Sequence, residues 1–152
     1  MPVNTSSGSK LYIGQDNVTH TDPQTDSDYV LVGFIANMGE FGRQYSLITF
    51  DDLSERSTLK FKGQRNDGKL QLDLGRAPDD EGQAAMRTAL DSDHDFNFKV
   101  TLSDQITTSP TTFYFLAKVM TYTTNVGGPT QVVRAAAQIE IKSNSIIEVA
   151  AS

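Results

Sequence analysis

One window of this chain has helical periodicity, and nearly every other apolar segment has the two-residue period of a β-strand. The window is DDEGQAAMRTALDSD, residues 79–93. Its larger apolar residues fall on one face of a helix: Ala85, Met86, Ala89 and Leu90. Pro78 and the acidic residues after it are typical of a helix start. We predict one short α-helix at about residues 79–92, which is marginal alone and must dock on a sheet.

The other segments predict antiparallel strands. Residues 95–104 (DFNFKVTLSD) and 131–143 (QVVRAAAQIEIKS) alternate between apolar and polar side chains, as strands do when one face is wet. Residues 112–122 (TFYFLAKVMTY) are apolar on both faces, which indicates a central strand covered twice. Residues 29–38 (YVLVGFIANM) form one dense apolar run, which predicts a single buried or interfacial strand.

A tight hairpin is predicted around Asp67 and Gly68, because both central positions of a type I′ turn need positive φ. Its strands would be TLKFKGQ, with Leu59 and Phe61 on the core face, and KLQLDLG. In the second strand the core-facing residues would be Leu70, Leu72 and Leu74. The fold class is therefore mainly β: an antiparallel β-sandwich or barrel with one short flanking helix. We expect residues 10–152 to form one domain and residues 1–9 (MPVNTSSGS) a flexible N-terminal arm.

Composition excludes several functions. The 152 residues include no cysteine, so disulfides and thiolate metal sites are impossible. The net charge is −6 and the 13 Lys and Arg are scattered, which argues against tight binding to nucleic acid. No apolar run is long enough to cross a membrane, and the N-terminus lacks the apolar region of a secretory signal. We expect no membrane insertion.

No motif for catalysis, a cofactor or a metal stands out. Asp91, Asp93 and Asp95 have the spacing of the first ligands of a calcium loop, but the required glycine and acidic residue are replaced by Phe96 and Leu102. The two histidines lie in polar loops, and no serine sits in a nucleophile elbow. We expect neither an enzyme nor a cofactor-binding protein.

Two tyrosines leave a choice open. Tyr114 and Tyr122 are placed by alternation on the face opposite Phe113 and Phe115. Exposed aromatics can stack on a sugar or on single-stranded nucleic acid. Packing within the core or between subunits is the interpretation that we favour.

The order of elements resembles the tail tube protein of long-tailed phages with non-contractile tails. The resemblance rests on the polar start with MPV, on the segment TLKFKGQRNDGKLQLDLG, on the helix DDEGQAAMRTAL directly before DFNFKVTLSD, and on the closing pair TFYFLAKVMTYTTN and TQVVRAAAQIEIKSN. It covers residues 50–144, about two-thirds of the chain.

This resemblance implies a structural virion protein whose hexameric rings stack into a hollow tube, the conduit for DNA ejection. The implied partners are other copies of the chain, a tape-measure protein, a tail terminator and distal tail or baseplate proteins. DNA would pass through the lumen without specific binding, and an acidic wall would repel it. The implied location is the virion tail, after synthesis in the cytoplasm of the host bacterium.

Candidate surface residues follow from the wet strand faces and polar loops. The candidates for lining the lumen are Gln71, Asp73, Gln138 and Glu140. The candidates for contacts between successive rings, from the N-terminal arm and the loop expected at residues 40–57, are Val3, Asn4, Glu40, Arg43, Asp51, Asp52, Glu55 and Arg56. Two alternatives remain: another ring-forming or tube-forming protein, such as a secretion-system tube or a tail terminator, and a monomeric carbohydrate-binding β-sandwich module.

Overall fold

The computed structural model describes residues 7–104 and 109–151. The elements in chain order are β1 (Lys10–Asp16), β2 (Val30–Val32), β3 (Ile35–Asn37), β4 (Tyr45–Asp52), β5 (Ser57–Arg65), β6 (Lys69–Gly75), α1 (Glu81–Leu90), β7 (Phe96–Thr101), β8 (Thr112–Asn125), β9 (Arg134–Ile141) and β10 (Ile147–Val149). None of the helices in the described ranges is both long and apolar enough to span a membrane. The mainly β class with one short helix is confirmed.

Most strands form one antiparallel sheet in the order β2-β1-β7-β8-β9-β6-β3, and β10 pairs with the first part of β8. The two end strands of this order are consecutive in the chain, separated only by Gly33 and Phe34. The sheet must therefore curl until one corner joins its two edges, which makes a barrel. The single strand predicted over residues 29–38 was wrong, because this run is divided between opposite edges of the sheet.

The core lies inside the curl and is built from alternate residues of each strand. Leu70, Leu72 and Leu74 of β6 are buried as predicted. The alternation of β9 is also confirmed, since Ala135, Ala137, Ile139 and Ile141 face the core. The central position of β8 is confirmed, but its second face is covered only in part, because Lys118 and Met120 are exposed.

The helix seals this core. Asp80 accepts a hydrogen bond from the Gln83 amide (3.0 Å), so it caps the N-terminus in the usual way. Met86 and Ala89 are buried against the strands, as the periodicity predicts. Gly82 lies against β2, where a Cβ atom would stand 2.1 Å from the carbonyl oxygen of Leu31. The close approach of the helix to β2 therefore requires glycine.

The corner that closes the barrel is held by the first turn of α1. The Gln83 side chain has no solvent exposure. Its Nε2 donates to the carbonyl oxygens of Gly33 (3.0 Å) and Gly75 (2.9 Å). Its Oε1 accepts from the amide of Ala77 (3.0 Å) and from the hydroxyl of Tyr122 (3.1 Å). One side chain thus connects the corner, the end of β6 and strand β8.

The predicted hairpin at Asp67 and Gly68 was wrong. Strand β5 pairs with β4, whereas β6 pairs with β9 and β3. Gly68 does have a positive φ of 76°, but the turn redirects the chain from the β4–β5 hairpin into the barrel. The sequence of residues 43–50 (RQYSLITF) predicts a strand, and β4 at residues 45–52 confirms it. The loop expected at residues 40–57 is therefore interrupted by a strand.

Candidate assembly interface

The β4–β5 hairpin is a two-stranded sheet, and in the described part of the chain its strands pair only with each other. At about 3.4 Å per residue, its eight and nine residues extend roughly 27–30 Å. Nearly every residue of both strands is exposed. An isolated two-stranded hairpin is marginally stable in water, so this element needs a surface to pack on.

One side of this hairpin is an apolar face. Ile48 lies opposite Phe61, and Phe50 lies opposite Leu59, so all four side chains point the same way. Their exposed fractions are 51% for Ile48, 61% for Phe50, 41% for Leu59 and 53% for Phe61. Leu59 and Phe61 were predicted to face the core of the chain, and that prediction was wrong. Exposed contiguous apolar patches of this kind are typical of interaction sites, so this face is a candidate interface.

The opposite side is a lysine face. Leu47 lies opposite Lys62 and Thr49 lies opposite Lys60. The Lys62 ammonium stands 4.0 Å from the centre of the Tyr45 ring. Both lysines are exposed, and neither makes an ion pair within residues 7–104 and 109–151.

The base of the hairpin is fixed to the barrel by a bidentate ion pair. Arg65 Nε and Nη2 donate to the two carboxylate oxygens of Asp67, at 2.7 and 3.0 Å. Arg65 Nη1 also donates to Asn144 Oδ1 (2.9 Å). The Asp67 side chain is fully buried, and its hydrogen bonds raise the pKa of the Arg65 guanidinium. This geometry sets the direction in which the hairpin leaves the barrel.

The inter-ring candidates do not form one patch. Asp51, Asp52, Glu55 and Arg56 lie together at the tip of the β4–β5 hairpin, where β4 ends and β5 begins. Hydrogen bonds from the hydroxyl and amide of Ser54 lower the pKa of Asp52, so the tip keeps its negative charge. Glu40 and Arg43 precede β4, at the opposite end of the hairpin. Val3 and Asn4 lie outside the described residues. An inter-ring role stays a prediction for all eight residues.

The four lumen candidates do lie together, on the outer face of β6 and β9. This patch contains Gln71, Asp73, Gln138 and Glu140. Gln71 lies directly opposite Gln138 in the sheet. Lys69 lies opposite Glu140, and Arg134 donates to Asp73 at 3.0 Å.

Two cations therefore balance the two anions of the patch. The acidic character of the chain is carried elsewhere, so the expected repelling wall gains no support from these residues. Their position in a lumen stays a prediction.

The negative charge is concentrated around the two ends of α1 and the long loop after β1. That loop is tied to the barrel through Asp26, which accepts hydrogen bonds from the amide of Gln15 (2.7 Å) and from Asn97 Nδ2 (3.0 Å). Although Asp26 is buried, these hydrogen bonds more than offset the effect of burial and lower its pKa. Asn97 is buried too, although its place in the alternation predicted a wet side chain.

The two tyrosines do not form a shared stacking platform. The register of β8 shifts between Val119 and Thr121, which turns Tyr122 inward onto the core and leaves Tyr114 on the outer face. The Tyr114 ring packs against Tyr29, with centroids 6.4 Å apart. The predicted common face was wrong because alternation cannot reveal a bulge.

Groups that could hold a metal ion are not found in the described ranges: no three His, Asp or Glu side chains converge there. His94 Nδ1 lies 2.6 Å from Asp16 Oδ2 in a contact that is exposed to solvent. The hydrogen bond from His94 lowers the pKa of Asp16. This pair connects the segment after α1 to the last residue of β1.

Comparison with solved structures identifies the architecture. A chain of the anti-feeding prophage baseplate superposes with a TM-score of 0.72 at 16% identity, covering 99% of this chain and 98% of that one. The sheath/tube terminator of a PVC extracellular contractile injection system gives 0.69 at 13% identity, with coverage of 99% and 98%. The SPP1 tail tube gives 0.69 at 10% identity, covering 98% of this chain and 80% of that one.

The chain has the tail tube fold. At these identities the likeness concerns the tail tube fold alone. No protein-family model matches the sequence, and no curated protein is significantly similar to it.

The sequence did not reveal the two most informative features of this candidate interface. The apolar face of the β4–β5 hairpin was assigned to the core, because a core-facing strand and a partner-facing strand have the same period. The bidentate ion pair between Arg65 and Asp67 was not recognised, because Asp67 and Gly68 were interpreted only as the turn of a hairpin. The exposed lysines of β5 were visible as alternation, but the sequence could not show what they face.

Proposed function

We propose that this chain is a structural subunit that forms closed rings, and that the rings stack into a hollow tube. The observation that carries the proposal is the apolar face of the β4–β5 hairpin, which the described part of the chain leaves uncovered. Completing the burial of four large side chains that are now about half exposed contributes about 3–6 kcal/mol per hairpin. That gain is available only if another subunit covers the face.

The finer proposal is a hexameric ring in the tail of a phage with a non-contractile tail, with DNA leaving through the lumen. The tail tube fold supports it, as do the free edges of the sheet. Within residues 7–104 and 109–151, strand β8 has no partner strand on the side of β7 beyond Ala117. A closed ring pairs such edges with a neighbour and so removes an aggregation hazard.

The partners that this proposal requires are further copies of the chain, a tape-measure protein, a terminator and distal tail or baseplate proteins. The subunit would be made in the cytoplasm of the host bacterium and act in the virion.

A second candidate is a tube or terminator subunit of a contractile injection system. The specific observation in its favour is the fraction of each solved chain that superposes on this one. The anti-feeding prophage and PVC chains match over 98% of their own lengths, whereas the SPP1 tail tube matches over 80%. A terminator would stop at single rings, whereas a tube subunit would continue to stack.

The test is the oligomeric state of the purified chain, measured by size-exclusion chromatography with light scattering and by negative-stain electron microscopy. We expect rings and hollow tubes from the natural sequence. The variant Ile48→Ser with Phe61→Ser removes one cross-strand apolar pair, so it should stay monomeric with an unchanged thermal midpoint.

The matched control replaces Val126 and Val132 by serine. These residues are 68% and 71% exposed and lie outside the hairpin. The control should assemble normally. A natural chain that remains monomeric at every soluble concentration contradicts the proposed function.

A further inference from the structure

The net charge of −6 is distributed very unevenly. Residues 15–28 and 79–95 contain ten of the 19 carboxylates, and Arg87 is their only lysine or arginine, which gives a formal charge of −9. The other nine carboxylates and twelve cations give +3. Negative and positive charges are therefore strongly segregated in this chain, although its overall composition suggests only a moderately acidic protein.

The end of the second acidic segment, residues 91–95, lies against the first acidic segment, residues 15–28. The amide of Asn17 donates to the carbonyl oxygen of Asp95 (2.8 Å), and Asp16 contacts His94. We call the outer side of residues 15–28 and 91–95 the acidic surface. Four of its carboxylates are exposed and make no ion pair within the described ranges: Asp22, Asp28, Asp91 and Asp93.

The lysine face of the β4–β5 hairpin is the complementary feature. Lys60 and Lys62 lie on it, exposed and without a carboxylate partner in the described part of the chain. Leu47, on the same face, is 65% exposed. The hairpin thus presents two different surfaces, one cationic and one apolar, on opposite sides of a thin ribbon.

We infer that the lysine face of the β4–β5 hairpin docks on the acidic surface of a second copy of this chain. The inference rests on the proposed function and specifies which surfaces meet within it. The apolar face is then left for a different neighbour, so each hairpin is held between two subunits.

The opposite orientation is disfavoured by desolvation. Packing Ile48, Phe50, Leu59 and Phe61 on the acidic surface would strip water from carboxylates and offer them no donor or cation. Packing the lysine face there gives those carboxylates cationic partners. Electrostatic complementarity mainly sets orientation and the rate of encounter, which is the role needed here.

The experiment reverses the charges on the lysine face, then those on the acidic surface, and finally both sets in one chain. The variant Lys60→Glu with Lys62→Glu, and the variant Asp91→Lys with Asp93→Lys, should each raise the protein concentration needed for half-assembly at least about tenfold. A single chain that carries all four substitutions should assemble again, because the attraction is restored with exchanged signs. An equimolar mixture of the two double variants should also assemble, since each hairpin then finds an opposite charge on the other variant.

The control for net charge is Lys10→Glu with Lys142→Glu, which changes two other exposed lysines and gives the same total charge as the hairpin variant. It should assemble like the natural chain. Light scattering and negative-stain microscopy provide the measurement for every variant, and circular dichroism reports the fold.

Two outcomes overturn the inference while leaving the proposed function intact. One is normal assembly of the Lys60→Glu with Lys62→Glu variant. The other is failure of the fourfold variant to assemble although it is folded and the natural chain forms tubes. A natural chain that never assembles overturns the proposed function as well, so the two failures are distinguishable.

Discussion

Replacing Gln83 by glutamate should test whether this one side chain holds the barrel closed. The substitution keeps the shape and the acceptor Oε1 but replaces the Nε2 donor by a second acceptor. The carbonyl oxygens of Gly33 and Gly75 then lose their partners and face a carboxylate instead. Each unpaired carbonyl costs about 1–3 kcal/mol, so we expect a loss of about 3 kcal/mol or more in the free energy of unfolding. The total free energy of unfolding of a native protein is about 5–15 kcal/mol, so this loss is a large fraction of it.

The assay is urea unfolding followed by circular dichroism, in the background of the Ile48→Ser and Phe61→Ser substitutions so that the chain stays monomeric. At a slope of about 2 kcal/mol per molar urea, the midpoint should fall by about 1.5 M. Gln64→Glu, at an exposed position of β5, makes the same chemical change and should leave the midpoint unchanged.

The pH dependence gives a second check on Gln83→Glu. Burial between carbonyl oxygens raises the pKa of the introduced carboxyl in the folded state, while in the unfolded chain it stays near about 4.3. The destabilisation relative to Gln64→Glu should therefore be smaller at pH 4, where a protonated carboxyl can donate one bond, and should grow as the pH rises. Equal midpoints for the two variants at pH 7 would refute the assigned role of Gln83.

Two further predictions concern the packing of the helix, and both are read from thermal or urea unfolding in the same monomeric background. Gly82→Ala places a Cβ atom 2.1 Å from the carbonyl oxygen of Leu31, so it should displace α1 from β2 and clearly lower the unfolding midpoint. The control is Gly128→Ala, whose Cβ atom meets nothing within 4 Å and should leave the midpoint unchanged. Met86→Ala empties a site with no solvent exposure and should cost about 2–5 kcal/mol. Met120→Ala is the matched control, because Met120 is 52% exposed, and equal losses from the two methionines would contradict the position of the core.

The barrel was largely predictable because its strands each bury one face. Alternation identified the inward residues of β6 and β9, and the acidic start and apolar stripe identified α1. The corner at Gly33 and Phe34 was not predictable, since a continuous apolar run gives no sign that its halves join opposite edges of a sheet. The bulge in β8 was missed because a regular alternation cannot reveal a register shift.

The interface was predictable only in part. A strand whose apolar face is exposed has the same period as one that faces its own core, so Leu59 and Phe61 were assigned to the wrong surface. The charge separation was present in the composition of residues 15–28 and 79–95 all along. It became informative only when the structure placed residues 91–95 against residues 15–28.

The place at which the β4–β5 hairpin enters the chain has an evolutionary consequence. It is inserted between β3 and β6, which are themselves paired neighbours at one edge of the sheet. The chain therefore leaves the barrel and returns to it at nearly the same place, and none of the other pairings of the sheet depends on what lies between. Length, charge and apolar content of the hairpin can change without altering the topology of the barrel. A lineage built on this plan is free to alter how its subunits assemble while conserving how each one folds.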